Sequence, residues 1–278
     1  MIRYLELSAE PTTWQRLRGW PRQRIVATVY GGVVAALVIA VYLCSVLGAL
    51  PSDPDAMDLT AVNALPSADH PLGTDFVGRD LLSRIMVGTQ AFFLPGLLSV
   101  SVSLFFGAVF GVLAGYWPER FGGLVGLLLQ LLESLPKLVL ILLAVGITNI
   151  PAAAELLRAR IAVLRKKSYI EAAIALGLAP SRVILKHVLW LHGRGLVLIQ
   201  ASIGMAEAIL IETSLSYLGF GVQEPRPSWG NMVALGKDYF FRGELWISTA
   251  PAMAILLTVL AFHLLGDALL ERLEESGA

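Results

Sequence analysis

Five long apolar runs, at residues 25–50, 91–116, 122–150, 195–222 and 246–270, limit what this chain can fold into. Each exceeds the ~18 residues that mark a membrane-span candidate, and ~20 helical residues cross a hydrocarbon core. Inside lipid, only helices and closed barrels satisfy every backbone polar group. The runs lack the alternation of barrel strands, so they read as helices. A soluble protein with buried strands would show shorter runs and more charge than the 15% found here beside 56% hydrophobic residues. The reading is an all-α polytopic membrane protein. The first run is too long for a signal-peptide core and lacks a clean small-x-small end, which predicts a retained span. Cys44 is the single cysteine, so an internal disulfide is excluded and a cysteine metal site is not expected. A net charge of zero gives no overall attraction to nucleic acid.

Charge placement predicts sidedness. Arg3, Arg16, Arg18, Arg22 and Arg24 outnumber Glu6 and Glu10 ahead of the first run, which assigns that end to the cytoplasm. Residues 51–90 reverse the sign, with Asp53, Asp55, Asp58, Asp69, Asp75 and Asp80 against Arg79 and Arg84, and read as external. Residues 151–194 carry eight basic side chains against Glu155 and Glu171 and read as cytoplasmic. Two cytoplasmic segments require an even number of crossings between them, yet three apolar runs separate these two. A turn within "ESLPK", residues 133–137, resolves the conflict, because Pro136 disfavours helix in the residue before it. The expectation is six crossings with a cramped third and fourth. A re-entrant hairpin and a five-span chain are the alternatives.

The basic stretch "RARIAVLRKKSYIEAAIALGLAPSRVILKHVL" (158–189) has two helical pieces. Ser168 and Glu171 stand at capping-box spacing, Gly177 suits a left-handed helix end, and Pro180 suits a first helical turn. A short alanine-lined helix lets another protein approach its backbone, whereas the bland alternative is an interfacial helix pair with no partner. "EAAIALGLAPSRVILKHVL" resembles the EAA loop of ATP-binding-cassette importer permeases. In that family the loop forms a coupling helix that docks on an ATPase subunit. By position, Glu171, Ala172, Ala173 and Gly177 match the core of the pattern, and Arg182, Ile184 and His187 match the following helix. The usual Leu-Pro-Asn ending is replaced by Leu189, Trp190 and Leu191.

"HPLGTDFVGRDLLSRIMVG" (70–88), "ETSLSYLGFGVQEPRPSWGNM" (212–232) and "FHLLGDALLERL" (262–273) are similar to segments of the C-type permeases of the peptide and nickel branch. The resemblance covers about residues 65–275, apart from a gap in which part of the third and fourth spans is missing. It implies a type I importer-like bundle of six spans with a truncated third and fourth pair. The organisation expected is a cytoplasmic tail (1–24), a first span (25–50), an external segment (51–90) and a permease domain (91–275) with a coupling loop at 165–192. It further implies a multi-pass protein of the bacterial inner membrane with a cytoplasmic N-terminus. Such a subunit forms half of a pathway for peptides or a related small solute, including nickel. Its partners would be a homologous permease, two ATPases that bind ATP and Mg, and an external binding protein. A permease-like scaffold that no longer transports is the rival reading. An independent secondary transporter is disfavoured, since no convincing inverted repeat is found.

Glu207 and Glu212 lie in the fourth long run at i, i+5 spacing, and ionisable groups within spans face protein or water. They are candidates for pathway lining or subunit contact, with Glu212 leaning towards a structural polar contact. Gly107, Gly111 and Gly115 recur every fourth residue and suit close helix packing. His70, His187, His192 and His263 are scattered, so no metal site is expected. There is no phosphate loop, no nucleophile elbow and no paired carboxylate cleft, so the chain is not expected to hydrolyse ATP or act as an enzyme.

Overall fold

A computed structural model describes residues 21–134, 146–147, 149–164 and 194–275, with Lys167, Ile170 and Leu178 as isolated positions. The described residues form seven α-helices: α1 (Pro21–Val46), α2 (Leu81–Tyr116), α3 (Pro118–Ser134), α4 (Ile150–Leu164), α5 (Arg194–Tyr217), α6 (Trp229–Phe240) and α7 (Trp246–Glu275). Four of them contain stretches long and apolar enough to cross a membrane: Ile25–Val46, Leu81–Tyr116, Gly195–Tyr217 and Trp246–Leu270. The chain is a multi-pass membrane protein whose regular elements, among the described residues, are all helices. Large apolar side chains point outward, as on α1 where Val29, Val33 and Leu37 are exposed. In lipid such a surface needs no cover.

The helix starts depart from the hydropathy runs for a local reason. The second run begins at Ala91 in sequence, but α2 begins ten residues earlier, inside the stretch 51–90 read as an external segment. Asp80 caps it by accepting a hydrogen bond from the Ser83 amide at 2.8 Å. Arg84 lowers the local hydropathy yet is only 1% exposed within the first turns. At 36 residues α2 spans about 54 Å at 1.5 Å per residue, well beyond a ~30 Å hydrocarbon core. Trp117 ends it, and Pro118 opens α3 at a position where a proline lacks no needed donor.

The glycine ladder holds α2 against α4. A methyl placed on Gly107 would stand 2.5 Å from the Ala153 Cβ, and one on Gly111 would stand 2.8 Å from the Ala154 carbonyl oxygen. Gly115 meets Ile161 in the same way. This is the close backbone approach that small residues permit between membrane helices. The packing role expected of the ladder is therefore realised inside the chain. A central cluster of Val38, Phe92, Val100, Met205, Ile209, Trp229 and Phe262 joins five helices. A second, of Tyr116, Leu157, Ile161, Leu164, Leu196 and Ile199, joins α2, α4 and α5.

Burial ranks the helices. Only 11% of the most apolar window of α1 is buried, against 56% for α5, so α1 is peripheral and α5 central. α3 ends at Ser134, within the "ESLPK" stretch read as a turn. Residues 135–145, where the rest of that turn would fall, lie outside the described residues.

Candidate functional site

Two of the motifs quoted above, more than 120 residues apart, form one structure. In "GTDFVGRD", Gly73 and Gly78 take positive φ values of 78° and 82°, which favour glycine. The resulting tight loop turns the Asp75 carboxylate inward, where Oδ1 accepts from the backbone amides of Val77 and Arg79, both at 2.9 Å. Its Oδ2 accepts from Arg79 Nε at 2.7 Å. The other side of the Arg79 guanidinium donates to Glu224 Oε2 at 2.7 Å. Arg84, from the first turn of α2, donates through Nη2 to Glu224 Oε1 at 2.7 Å and through Nη1 to the Pro54 carbonyl at 3.2 Å. One carboxylate from the segment after α5 thus bridges two arginines from the segment before and inside α2.

This clasp is closed electrostatically. Burial works against the Arg79 charge, but hydrogen bonds and attraction from Glu224 and Asp75 more than offset it and raise its pKa above the ordinary value. Arg79 and Arg84 are 4% and 1% exposed, while Glu224 remains one-third open at 33%. Asp55 approaches Arg84 at 3.6 Å from the exposed side. His70 bonds Asp80 at 3.0 Å beside the clasp, and the Ser52 amide donates to Ser83 Oγ at 3.0 Å. With its charges paired, the group offers no free acid, base or nucleophile; it ties residues 52–58, 70–84 and 224 into one unit.

The rest of the second motif locks to the same unit. Asn231 and Ser228 form a reciprocal capping box at the start of α6. The Asn231 amide nitrogen also donates to the carbonyls of Val222 and Arg226, at 3.2 and 3.0 Å. Trp229 donates to the Ile85 carbonyl at 2.9 Å, lies against Gly88 and meets Phe92 as a tilted ring pair with centroids 4.7 Å apart. In "QEPRPSWGNM", Gln223, Pro225 and Arg226 are exposed, while Ser228, Trp229, Gly230, Asn231 and Met232 are buried. The reason is the tryptophan and the cap: both need partners that only the interior of the fold provides.

Glu212 makes a polar contact within the chain. It is 3% exposed, and its Oε1 accepts from Ser216 Oγ at 2.6 Å. Ser216 Oγ in turn accepts from the Val222 amide at 3.0 Å, so the carboxyl braces the turn that leaves α5. Its Oε2 is buried without a hydrogen-bond partner among the described residues. Glu212→Ala is expected to destabilise the chain by about 1–3 kcal/mol, because Ser216 then loses its acceptor in a buried place. Thermal unfolding in detergent measures it. Glu207, on the opposite side of the helix, is half-buried.

Glu171, Ala172, Ala173, Gly177, Arg182, Ile184 and His187 lie outside the described residues. The approach to them is partly visible: the Lys167 amide donates to Leu164 and the Ile170 amide to Lys167, both at 3.0 Å, and Ile170 is 1% exposed. Among the described residues no group of three potential metal ligands comes together.

The clasp residues Asp75, Arg79, Arg84 and Glu224 were not singled out in sequence, although every one falls within a quoted motif. Opposite charges placed in two separated motifs were the available signal.

Comparison with known proteins agrees with those motifs. Over 269 aligned positions the chain is 34% identical to an Escherichia coli protein described as "Probable D,D-dipeptide transport system permease protein", covering 92% of this chain and 89% of the relative. It is 36% identical over 217 positions to a di/tripeptide transport system permease protein of Pseudomonas aeruginosa, covering 73% and 71%. It is 33% identical over 280 positions to a glutathione transport system permease protein of Pectobacterium atrosepticum, covering 95% and 91%. Residues 76–276, which hold Arg79, Arg84 and Glu224 of the clasp, the glycine ladder and six of the seven described helices, match the model of one transport family, and the chain belongs to that family, the binding-protein-dependent transport system inner membrane components.

Proposed function

We propose that this chain is one half of the transmembrane pathway of a peptide importer, driven by ATPases bound to its cytoplasmic face. The observation that carries the proposal is the family match across 76–276 together with relatives described as dipeptide, di/tripeptide and glutathione permeases. Those descriptions favour peptides over nickel as cargo. A homologous permease completes the pathway, an external binding protein delivers the solute, and the partner ATPases hold ATP and Mg. The end of the molecule carrying the clasp faces outward, and the N-terminus is cytoplasmic.

Coupling runs through the loop at 165–192. ATPase closure displaces Glu171, Ala172, Ala173 and Gly177, with Arg182, Ile184 and His187 on the following helix. Stiff helices then carry the displacement across the membrane as rigid-body tilt. In an assembled complex, Glu171→Lys and Gly177→Asp are expected to lower transport-coupled ATP turnover by about 5–150-fold, the usual range of a coupling free energy. Unchanged turnover with both substitutions would remove the loop from the mechanism.

Six crossings are the proposed topology. α1, α2, α5 and α7 supply four, and α3 with the stretch that returns through α4 supplies a short pair. α3, at 17 residues, spans about 25 Å, less than a full hydrocarbon core. Cysteines introduced at Ser134 and Thr148 in a Cys44→Ser background test this. Labelling of Ser134→Cys by an impermeant thiol reagent from the outer side supports the pair, and labelling only from the inner side rules it out.

A further inference from the structure

A groove of about 710 Å³ lies between α5, α6 and α7, with apolar walls of Leu210, Val233, Ile255, Leu256, Val259 and Leu260. Its polar contributions come from Thr213, Ser214, Tyr217 and His263. Gly266 packs against Ile203 and the Ile199 carbonyl, which sets the register of the antiparallel pair α5 and α7. Leu210 is therefore near the low end of the groove on α5, and His263 near its low end on α7. One helical turn beyond each stands a carboxylate: Glu207 is three residues before Leu210, and Asp267 is four residues after His263, each on the same stripe as its neighbour. Glu207 is half-buried and Asp267 exposed, and neither has a hydrogen bond or ion pair with a described residue. His263 Nδ1 is engaged by the Val259 carbonyl at 3.0 Å.

This face differs from the other outward faces of the bundle. On α1 the exposed residues Val29, Val33 and Leu37 suit lipid. A carboxylate with no partner among the described residues in the middle of a spanning helix, Glu207, does not, because charge in hydrocarbon is costly and such groups face protein or water. An apolar slot with negative charge at one end complements a molecule that carries an ammonium group next to an apolar side chain. We infer that the α5–α7 face is a water-exposed wall of the solute pathway, on which Glu207 and Asp267 attract the free amino terminus of a peptide while the groove receives its apolar side chain. The inference rests on the peptide-import reading above and deepens it.

The test uses the complete complex, with its binding protein and ATPases, in proteoliposomes supplied with leucyl-alanine or N-acetyl-leucyl-alanine. The same binding protein serves every variant, so a changed preference between the two solutes reports the permease. Glu207→Gln is expected to lower leucyl-alanine uptake about tenfold, the size of a lost hydrogen bond to a charged group, and to leave the acetylated peptide unaffected. Glu207→Asp should restore much of the loss. In a Cys44→Ser background, Ser214→Cys should react with a water-soluble thiol reagent and be shielded by leucyl-alanine, whereas Leu37→Cys on the lipid-facing side of α1 should not react. Import of leucyl-alanine with Ser214→Cys unreactive throughout would mean that this face is dry, against lipid or a second chain, and would overturn the inference while leaving peptide import standing. Equal effects of Glu207→Gln on both peptides would overturn the charge role. Absence of uptake of any peptide by the unmodified complex would overturn the import reading itself, and this inference with it.

Discussion

Glu224→Ala is expected to destabilise the protein by about 3 kcal/mol, at the low end of the cost of breaking a buried ion pair. The loss is large because one carboxylate serves two arginines, through Arg79 at 2.7 Å and Arg84 at 2.7 Å. Removing it leaves two cations that are 4% and 1% exposed without their main partner. The low end applies because Glu224 itself is 33% exposed, so water partly replaces it. Glu224→Gln should recover part of the loss, since its amide oxygen still accepts from one arginine but carries no charge. Thermal unfolding of the purified protein in detergent, with a double-mutant cycle over Glu224 and Arg84, measures the coupling. Additive single and double substitutions would show that the clasp carries no pairwise energy.

The second large effect is steric. Gly111→Val is expected to cost about 1–3 kcal/mol or more, the range for overpacking a tight interior. Its added carbon would meet the Ala154 carbonyl oxygen at 2.8 Å and the Leu157 Cβ at 3.0 Å. A backbone oxygen cannot rotate away, so α2 and α4 must separate along the whole ladder. Gly123→Ala on α3 is the matched control, because nothing lies within 4 Å of its added carbon. There the helix should gain about 1 kcal/mol from the better propensity of alanine. Thermal unfolding of both variants reads the contrast, and similar shifts in the two would contradict the packing account.

Both effects show which features were legible in one dimension. The spanning helices were readable because a stretch must be apolar over its whole length to cross lipid, and that is a property of the residues themselves. The glycine ladder was readable as a packing stripe because its spacing matches the helical repeat, although its partner, α4, was not. The start of α2 was hidden. Arg84 looks like the end of an apolar run, and partners distant in sequence, above all Glu224 140 residues away, make a buried arginine acceptable there. The burial of the tryptophan of "PSWGNM" was hidden for the same reason, since the Ile85 carbonyl that receives its N–H lies on another helix.

The distinction extends to the candidate pathway wall. Glu207 drew attention because a charge within a run is visible in sequence, whereas Asp267 and His263 did not, since each is unremarkable on its own helix. Their common face follows from the contact of Gly266 with Ile203, which aligns α5 and α7. Membrane residence, helical class and family were set by local chemistry: length, hydropathy and short patterns need no distant partner. Which charges are neutralised and which motifs are one structure were set by folding. Those properties depend on pairs of residues, and sequence order does not record which pairs meet.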